Sequence, residues 1–186
     1  ERLQIPRGEW ALDVRPGARL SATRRRVWFG TMTVLRDPGE VYFLHHQMLR
    51  SRLFGRPTSA WVERIDPVTL EPVARSPRLD GGPAWPGGVA VHRNGDLYVV
   101  YGRHCHRLAP DCTVRASRTL PFHRPYNSFV ILDCGLLVTK DFADQGTSHL
   151  VLLDPETLEF VGEPVECPEP TIARLSASGD TVYVVG

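Results

Sequence analysis

One short turn occurs three times along this chain, and it limits the fold more than any other feature. The copies are Asp66-Pro67-Val68-Thr69-Leu70-Glu71, a degraded Pro110-Asp111-Cys112-Thr113, and Asp154-Pro155-Glu156-Thr157-Leu158-Glu159. Pro67, Pro110 and Pro155 are 43 and 45 residues apart. A fixed period of this size marks a repeat architecture, in which each unit buries its apolar face only by stacking on its neighbours. The turn chemistry is self-consistent. Proline presets φ for a type I turn, and the Asp carboxylate accepts a nearby backbone N–H.

A second signal falls about midway between these turns: a glycine or acidic corner followed by a β run. Examples are Gly39-Glu40-Val41-Tyr42-Phe43-Leu44, Gly95-Asp96-Leu97-Tyr98-Val99-Val100, Gly135-Leu136-Leu137-Val138-Thr139 and Gly179-Asp180-Thr181-Val182-Tyr183-Val184. Another short run lies ahead of each of the last three corners: residues 88–91, 129–132 and 172–175. Further runs flank the Asp-Pro turns, so each period holds four short strands joined by hairpin turns. Leu150 to Leu153 and Phe129 to Leu132 are continuously apolar, which suits strands covered on both faces. Four-stranded sheets stacked face to face about an axis supply that coverage.

The expected fold is therefore all-β and a partial β-propeller, at about 40–45 residues per blade. Residues 1–26 are read as a lead-in segment or the tail of a preceding blade. Residues 27–80, 81–120 and 121–166 are blades, and 167–186 are the first half of another. A ring of about six to eight blades is expected, with this chain as a piece of the longer protein. An insertion at residues 45–59 interrupts the first blade, and its His45 to Phe54 part is expected to form a short helix ended by Gly55 and Pro57.

Composition narrows the function classes. The 22 basic side chains nearly balance 21 acidic ones, which argues against a generic nucleic-acid or membrane-surface binder. No apolar stretch reaches the roughly 20 residues that a bilayer requires. Cys105, Cys112, Cys134 and Cys167 lack metal-pair spacing and read as reduced thiols, which fits a reducing compartment. No Gly-rich phosphate loop, serine elbow or His-Glu-x-x-His pattern is present, and no cofactor is named by the residues.

The two ends of the strands differ. One carries tight corners and the Asp-Pro turns. The other carries the longer connections, at residues 45–59, 80–86, 101–105, 121–127, 140–149 and 167–171, and any ligand site is expected there. That end gathers Arg50, Arg52, Arg56, Arg103, His104, His123, Arg124 and Lys140, with Trp85, Tyr126 and Phe142 among them. Fewer acidic residues oppose them: Asp80, Asp141, Asp144 and Glu169. Converging cations favour an anionic ligand, and aromatic rings add flat apolar contact. Equally, long basic side chains solvate loops and cover apolar surface.

The single residues carry the same ambiguity. Asn127 can present its amide to a ligand or metal, or cap a turn. Lys140 and Asp141 make an acid/base pair or a plain ion pair. His104 and His106, two apart on a strand, share a face and can meet one ion if His123 or Asp141 supplies a third ligand; otherwise they are packing residues. Trp85 stacks a ligand or fills a gap between blades.

The Asp-Pro-x-Thr-Leu-Glu turns, the Asn94-Gly95-Asp96-Leu97-Tyr98-Val99-Val100 corner and the last strands over residues 176–186 resemble bacterial β-propellers of the YVTN, SMP-30-like and quinoprotein-like groups. The resemblance covers residues 27–186 and is architectural. An SMP-30-like lactonase would hold a divalent cation with Glu, Asn and Asp; Asn127 and Asp141 are the available matches. A quinoprotein would bind pyrroloquinoline quinone with Trp and Arg, for which Trp85 and Arg124 are available. The expected function is binding of an anionic small molecule or a protein partner on the basic loop end. The alternatives are a metal-dependent hydrolase or lactonase and a quinone-dependent oxidoreductase.

Overall fold

The computed structural model describes residues 16–17, 19, 21–27, 30–47, 58–83, 87–143, 146–167 and 174–184. These residues form four antiparallel sheets, and no helix occurs among them. The first sheet contains β1 (Gly30–Leu35), β2 (Val41–His46), β3 (Ser59–Ile65) and β4 (Pro72–Arg75), with β5 (Leu79–Asp80) pairing the far end of β3. The second contains β6 (Gly88–Val91), β7 (Leu97–Tyr101), β8 (His104–Leu108) and β9 (Val114–Thr119). The third contains β10 (Tyr126–Ile131), β11 (Leu137–Asp141), β12 (Ser148–Leu153) and β13 (Val165–Cys167). A hairpin of β14 (Ser176–Ser178) and β15 (Thr181–Tyr183) forms the fourth. Spatial order follows chain order, with no crossover connection within a sheet.

Two expectations are corrected. His45 and His46 end strand β2 instead of starting a helix; they face Trp61 and Ala60 across the ladder to β3. The remainder of that expected helix, residues 48–54, and its expected stops Gly55 and Pro57 lie outside the described residues. The strand before the last corner is Ser176–Ser178; Arg174 and Leu175, the described end of the expected run at 172–175, lie in no strand, and Leu175 is buried against the third sheet.

The sheets pack face to face, and each gap holds one apolar cluster. Tyr42, Leu44, Ala60 and Val62 of the first sheet meet Val89, Leu97, Val99 and Leu108 of the second. Tyr98, Val100 and Cys105 of the second meet Phe129, Leu137, Val151 and Leu153 of the third. Val130 and Val138 of the third meet Leu175, with Ala177 and Val182 of the last hairpin packed alongside. All five residues of β7 are buried, as a strand covered on both faces must be. The first strands of consecutive sheets lie side by side, and Gly88 makes this possible. A Cβ there would sit 3.1 Å from Ser128 Cα.

The recurring turn explains its own conservation of form within the chain. Asp66 Oδ1 accepts the N–H groups of Val68 and Thr69, Asp154 Oδ1 those of Glu156 and Thr157, and Asp111 Oδ1 that of Thr113. Each turn then places a non-glycine residue in the left-handed region: Leu70 (φ 61°), Cys112 (φ 70°) and Leu158 (φ 59°). Such a residue costs on the order of 1–2 kcal/mol. Burial offsets it: Cys112 completes the cluster between the first and second sheets, and Leu158 the cluster between the second and third. The left-handed bend is what turns the side chain back onto the preceding sheet.

Polar links repeat with the same period. The Tyr42 hydroxyl donates to Pro110 O (2.8 Å), and the Tyr98 hydroxyl to Pro155 O (2.6 Å), each joining a second strand to the turn of the next sheet. At the corners, Arg36 donates to Gly95 O, and Arg93 donates to Asp133 O and Cys134 O of the following sheet. Asp96, nearly fully buried, is held by Arg107 at 2.6 Å and Arg115 at 3.0 Å.

Candidate functional site

The loop-bearing end of the second and third sheets brings together most of the residues singled out from sequence. A strap, residues 120–125, connects β9 to β10 and is laced to both neighbouring hairpins. Leu120 N–H donates to Arg103 O, Tyr126 N–H to Gly102 O, and Phe142 N–H to Pro125 O, all between 2.7 and 2.8 Å. Gly102 makes the β7–β8 turn possible. Its φ is +55°, and a Cβ would lie 2.4 Å from Gly81 C. Only glycine supplies both the backbone angle and the space.

Arg103 projects from that turn. Its Nη2 donates to Leu120 O at 3.1 Å, while its Nε is buried without a hydrogen-bond partner. None of the ion pairs among the described residues includes it. Arg124, on the strap, is differently engaged: Nη1 donates to Asp141 Oδ2 at 3.2 Å and to Thr147 O at 2.6 Å. Asp141 is fully buried and also accepts the His149 backbone N–H. The His149 ring stacks on Phe122 at 3.9 Å, with Nδ1 3.5 Å from Asp141 Oδ2. Between these groups the buried Tyr126 hydroxyl accepts the Phe122 N–H. Burial pushes its phenol well above the ordinary range; Asp141 adds to this, and Arg103 and Arg124 oppose it. Arg103, Tyr126, Arg124 and Asp141 thus share one electrostatic neighbourhood.

Other expected residues are placed differently. Lys140 and Asp141 are adjacent on β11, so their side chains leave opposite faces. No ion pair joins them; Asp141 pairs with Arg124, and Lys140 Nζ donates to Asp141 O at 3.3 Å. Burial lowers the Lys140 pKa, with Asp141 and Cys167 opposing. Asn127 is buried, and its Oδ1 accepts from Ser128 Oγ. The Ser128 hydroxyl also accepts the Leu175 N–H, so this pair lies at the junction with the last hairpin. His123 is exposed on the strap.

His104 and His106 do share a face of β8, with ring centroids 6.1 Å apart. His106, however, uses both ring nitrogens, on Ser117 Oγ (2.8 Å) and Asp80 O (3.0 Å). Burial lowers the pKa of both imidazoles. No group of three His, Cys, Asp or Glu side chains suited to a metal occurs among the described residues. With His106 committed and Asp141 held by Arg124, the described residues do not fit the expected cation site. Trp85, Arg50, Arg52, Arg56, Asp144 and Glu169 lie outside the described residues; of the Trp85–Arg124 pair expected for a quinone, only Arg124 is described.

Sequence reasoning gave the corner end no room for a ligand. An open depression of about 470 Å³ lies there between the first two sheets, lined by Gly39, Arg64, Asp66, Pro67, Val73 and Asp111. The Asp66 and Asp111 carboxylates are already used by their own turns.

No family model matches the chain, and none of the curated proteins matches it. Among solved structures it is similar to a protein of unknown function from Bacteroides caccae. That likeness has 13% identity and a TM-score of 0.42, and it covers 76% of this chain. The chain spans 62% of that structure's length.

Proposed function

We propose that the chain forms consecutive blades of a β-propeller, and that the loop-bearing end of its second and third blades binds an anionic small molecule. The ring reading is supported by strands in chain order, face-to-face stacking and an apolar cluster in every gap. The binding reading rests on one observation: Arg103. Its guanidinium has five donors, one of which is used on a backbone carbonyl, and no carboxylate pairs with it. Arg107 and Arg124, by contrast, are spent on Asp96 and Asp141. A half-buried guanidinium fixed by a rigid hairpin and strap is suited to a carboxylate, phosphate or sulfate group. His123 is exposed on the same strap.

Thermal-shift titration of the full-length protein with phosphate, a hexuronic acid and a sulfated disaccharide tests this. A ligand at a hundred times its Kd stabilises by about 2.7 kcal/mol. The expected result is a saturable rise in Tm for at least one of the three, abolished in Arg103→Ala. A flat response to all three, or one that survives Arg103→Ala unchanged, refutes the reading.

A further inference from the structure

At the outer rim of the gap between the first and second sheets, His106 on β8 stands opposite Ser117 on β9. Leu120 N–H donates to Arg103 O, so Arg103 and Leu120 are a hydrogen-bonded pair, and this fixes the alternation along the ladder. His106 and Ser117 fall on a non-hydrogen-bonded pair, the kind in which side chains come closest. Ser117 Oγ lies 2.8 Å from His106 Nδ1. The other ring nitrogen, Nε2, lies 3.0 Å from the backbone oxygen of Asp80, on β5 of the first sheet. A carbonyl oxygen only accepts, so Nε2 carries the hydrogen. In the neutral ring Nδ1 is then the bare nitrogen, and the Ser117 hydroxyl donates to it. Burial lowers the His106 pKa, with His104 adding to this and Asp80 opposing, so the neutral ring is the form present at neutral pH. His106 is only 3% exposed, while Ser117 is open to solvent. Within its sheet β9 pairs with β8 alone. The same alternation turns the Ser117 N–H off that free edge, away from β8.

We propose that Ser117 is a nucleophile for acyl transfer, with His106 as its general base, the Asp80 carbonyl orienting that base, and the Ser117 N–H as donor to the oxyanion. A serine is a weak nucleophile unless an adjacent base takes its proton, and the base must itself be held by a third group. All three parts are present, and the base is fixed from a second sheet. A single oxyanion donor stabilises the tetrahedral intermediate less than two would, so the site suits small esters with a good leaving group, such as phenyl esters. Ser117 Oγ bonds to the ester carbonyl carbon while His106 Nδ1 takes the hydroxyl proton. The bond from carbon to the leaving oxygen then breaks, and the phenol departs with that proton. Water attacks the acyl-serine in the same way, which releases the carboxylic acid and restores the hydroxyl. Only ester and water are consumed. The site shares no residue with the anion site around Arg103 and does not depend on it.

Treatment of the full chain with an alkyl fluorophosphonate, followed by peptide mass mapping, tests this. Ser117 Oγ bonds to phosphorus, fluoride leaves, and the hydroxyl proton passes to His106. The expected result is one adduct, on Ser117, absent from Ser117→Ala. A general base contributes about 10²–10⁴-fold, so labelling should slow by about a hundredfold or more in His106→Gln. The wild-type chain unfolded in urea gives a comparison that needs no substitution. Its Ser117 has lost the imidazole and should also label about a hundredfold or more slower. No adduct on Ser117, an equal rate in urea, or a wild-type rate in His106→Gln whose Tm shows it folded would overturn the proposal.

Discussion

Tyr98→Phe removes a single hydroxyl from the gap between the second and third sheets and leaves the ring in place. That hydroxyl is 2.6 Å from Pro155 O, to which it donates, and it accepts from Asn94 Nδ2 at 2.9 Å. The side chain is fully buried, so no water stands ready to replace either bond. Asn94 keeps a second acceptor, Glu156 Oε1 at 2.8 Å, and is not orphaned. The main loss is the inter-sheet bond, and the substitution should cost about 1–2 kcal/mol. At roughly 2–4 °C per kcal/mol for a chain of this size, Tm should fall by about 2–8 °C. Urea unfolding at unchanged m is the assay, with Tyr183→Phe, at a half-exposed position, as the control. Tyr42→Phe removes the equivalent link between the first and second sheets, and its cost should add to that of Tyr98→Phe within about 0.5 kcal/mol. Alkaline titration gives a second readout. Burial lifts the Tyr42, Tyr98 and Tyr101 phenols to about 12. Their folded values are raised, so the associated stability is complete below the ordinary phenol value of about 10 and disappears as pH climbs from there to about 12. Tyr98→Phe should delete one of these late-titrating phenols. A Tyr98→Phe stability equal to that of Tyr183→Phe would show that the link between sheets carries no energy, and the reasoning would fail.

Two further outcomes are expected. Gly102→Ala meets both a left-handed φ and the Gly81 backbone at 2.4 Å, so it should destabilise by about 2–4 kcal/mol and remove any ligand response with it; wild-type unfolding in urea would contradict this. The bond from Arg25 Nη2 to the buried Glu63 carboxylate, 2.8 Å long, should weaken in acid. Burial lowers the His45 pKa, with Glu63 opposing and Arg25 and Arg75 adding to the lowering. Burial pushes Glu63 up, but the bond from Arg25 and the charges of His45 and Arg25 outweigh it and bring the carboxyl down. Both groups are depressed, so the Arg25–Glu63 bond is whole above about 6.5, where free histidine titrates, and is lost as pH falls through the two folded values. Hydrogen exchange in residues 21–27, corrected for intrinsic rates, should show this loss of protection, and His45→Gln should move its onset to lower pH. Protection that stays flat across the range would count against it.

The all-β character was legible because period, turn chemistry and continuous apolar runs agreed with one another. Strands β6 and β7 fall on runs visible in the sequence, and the Asp carboxylates of the three turns do cap their own backbones. The site was less legible, because sequence gives the position of a side chain along a strand and not its direction. Lys140 and Asp141 illustrate this: adjacent in sequence, they leave opposite faces, and Asp141 finds Arg124 across the strap. At Asn127 the pairing of β10 with β11 slips between Tyr126 and Phe129, so parity counted along the strand gives no reliable face. His106 could not be distinguished from a ligand until Asp80 O and Ser117 Oγ were seen on its two nitrogens. The bond from Arg25 to Glu63 was not legible at all, because its acceptor lies 38 residues away on a strand whose pattern reads as plain core.

The left-handed turn residues have a consequence for how such a protein is taken apart. Cys112 and Leu158 are chemically part of one sheet and physically part of the layer belonging to the one before. Lifting a sheet off the stack therefore uproots a plug from its neighbour and leaves a hole there. Melting should spread down the row as a zipper does, and a deletion or duplication that keeps the stack sealed must run from plug to plug, not from sheet edge to sheet edge.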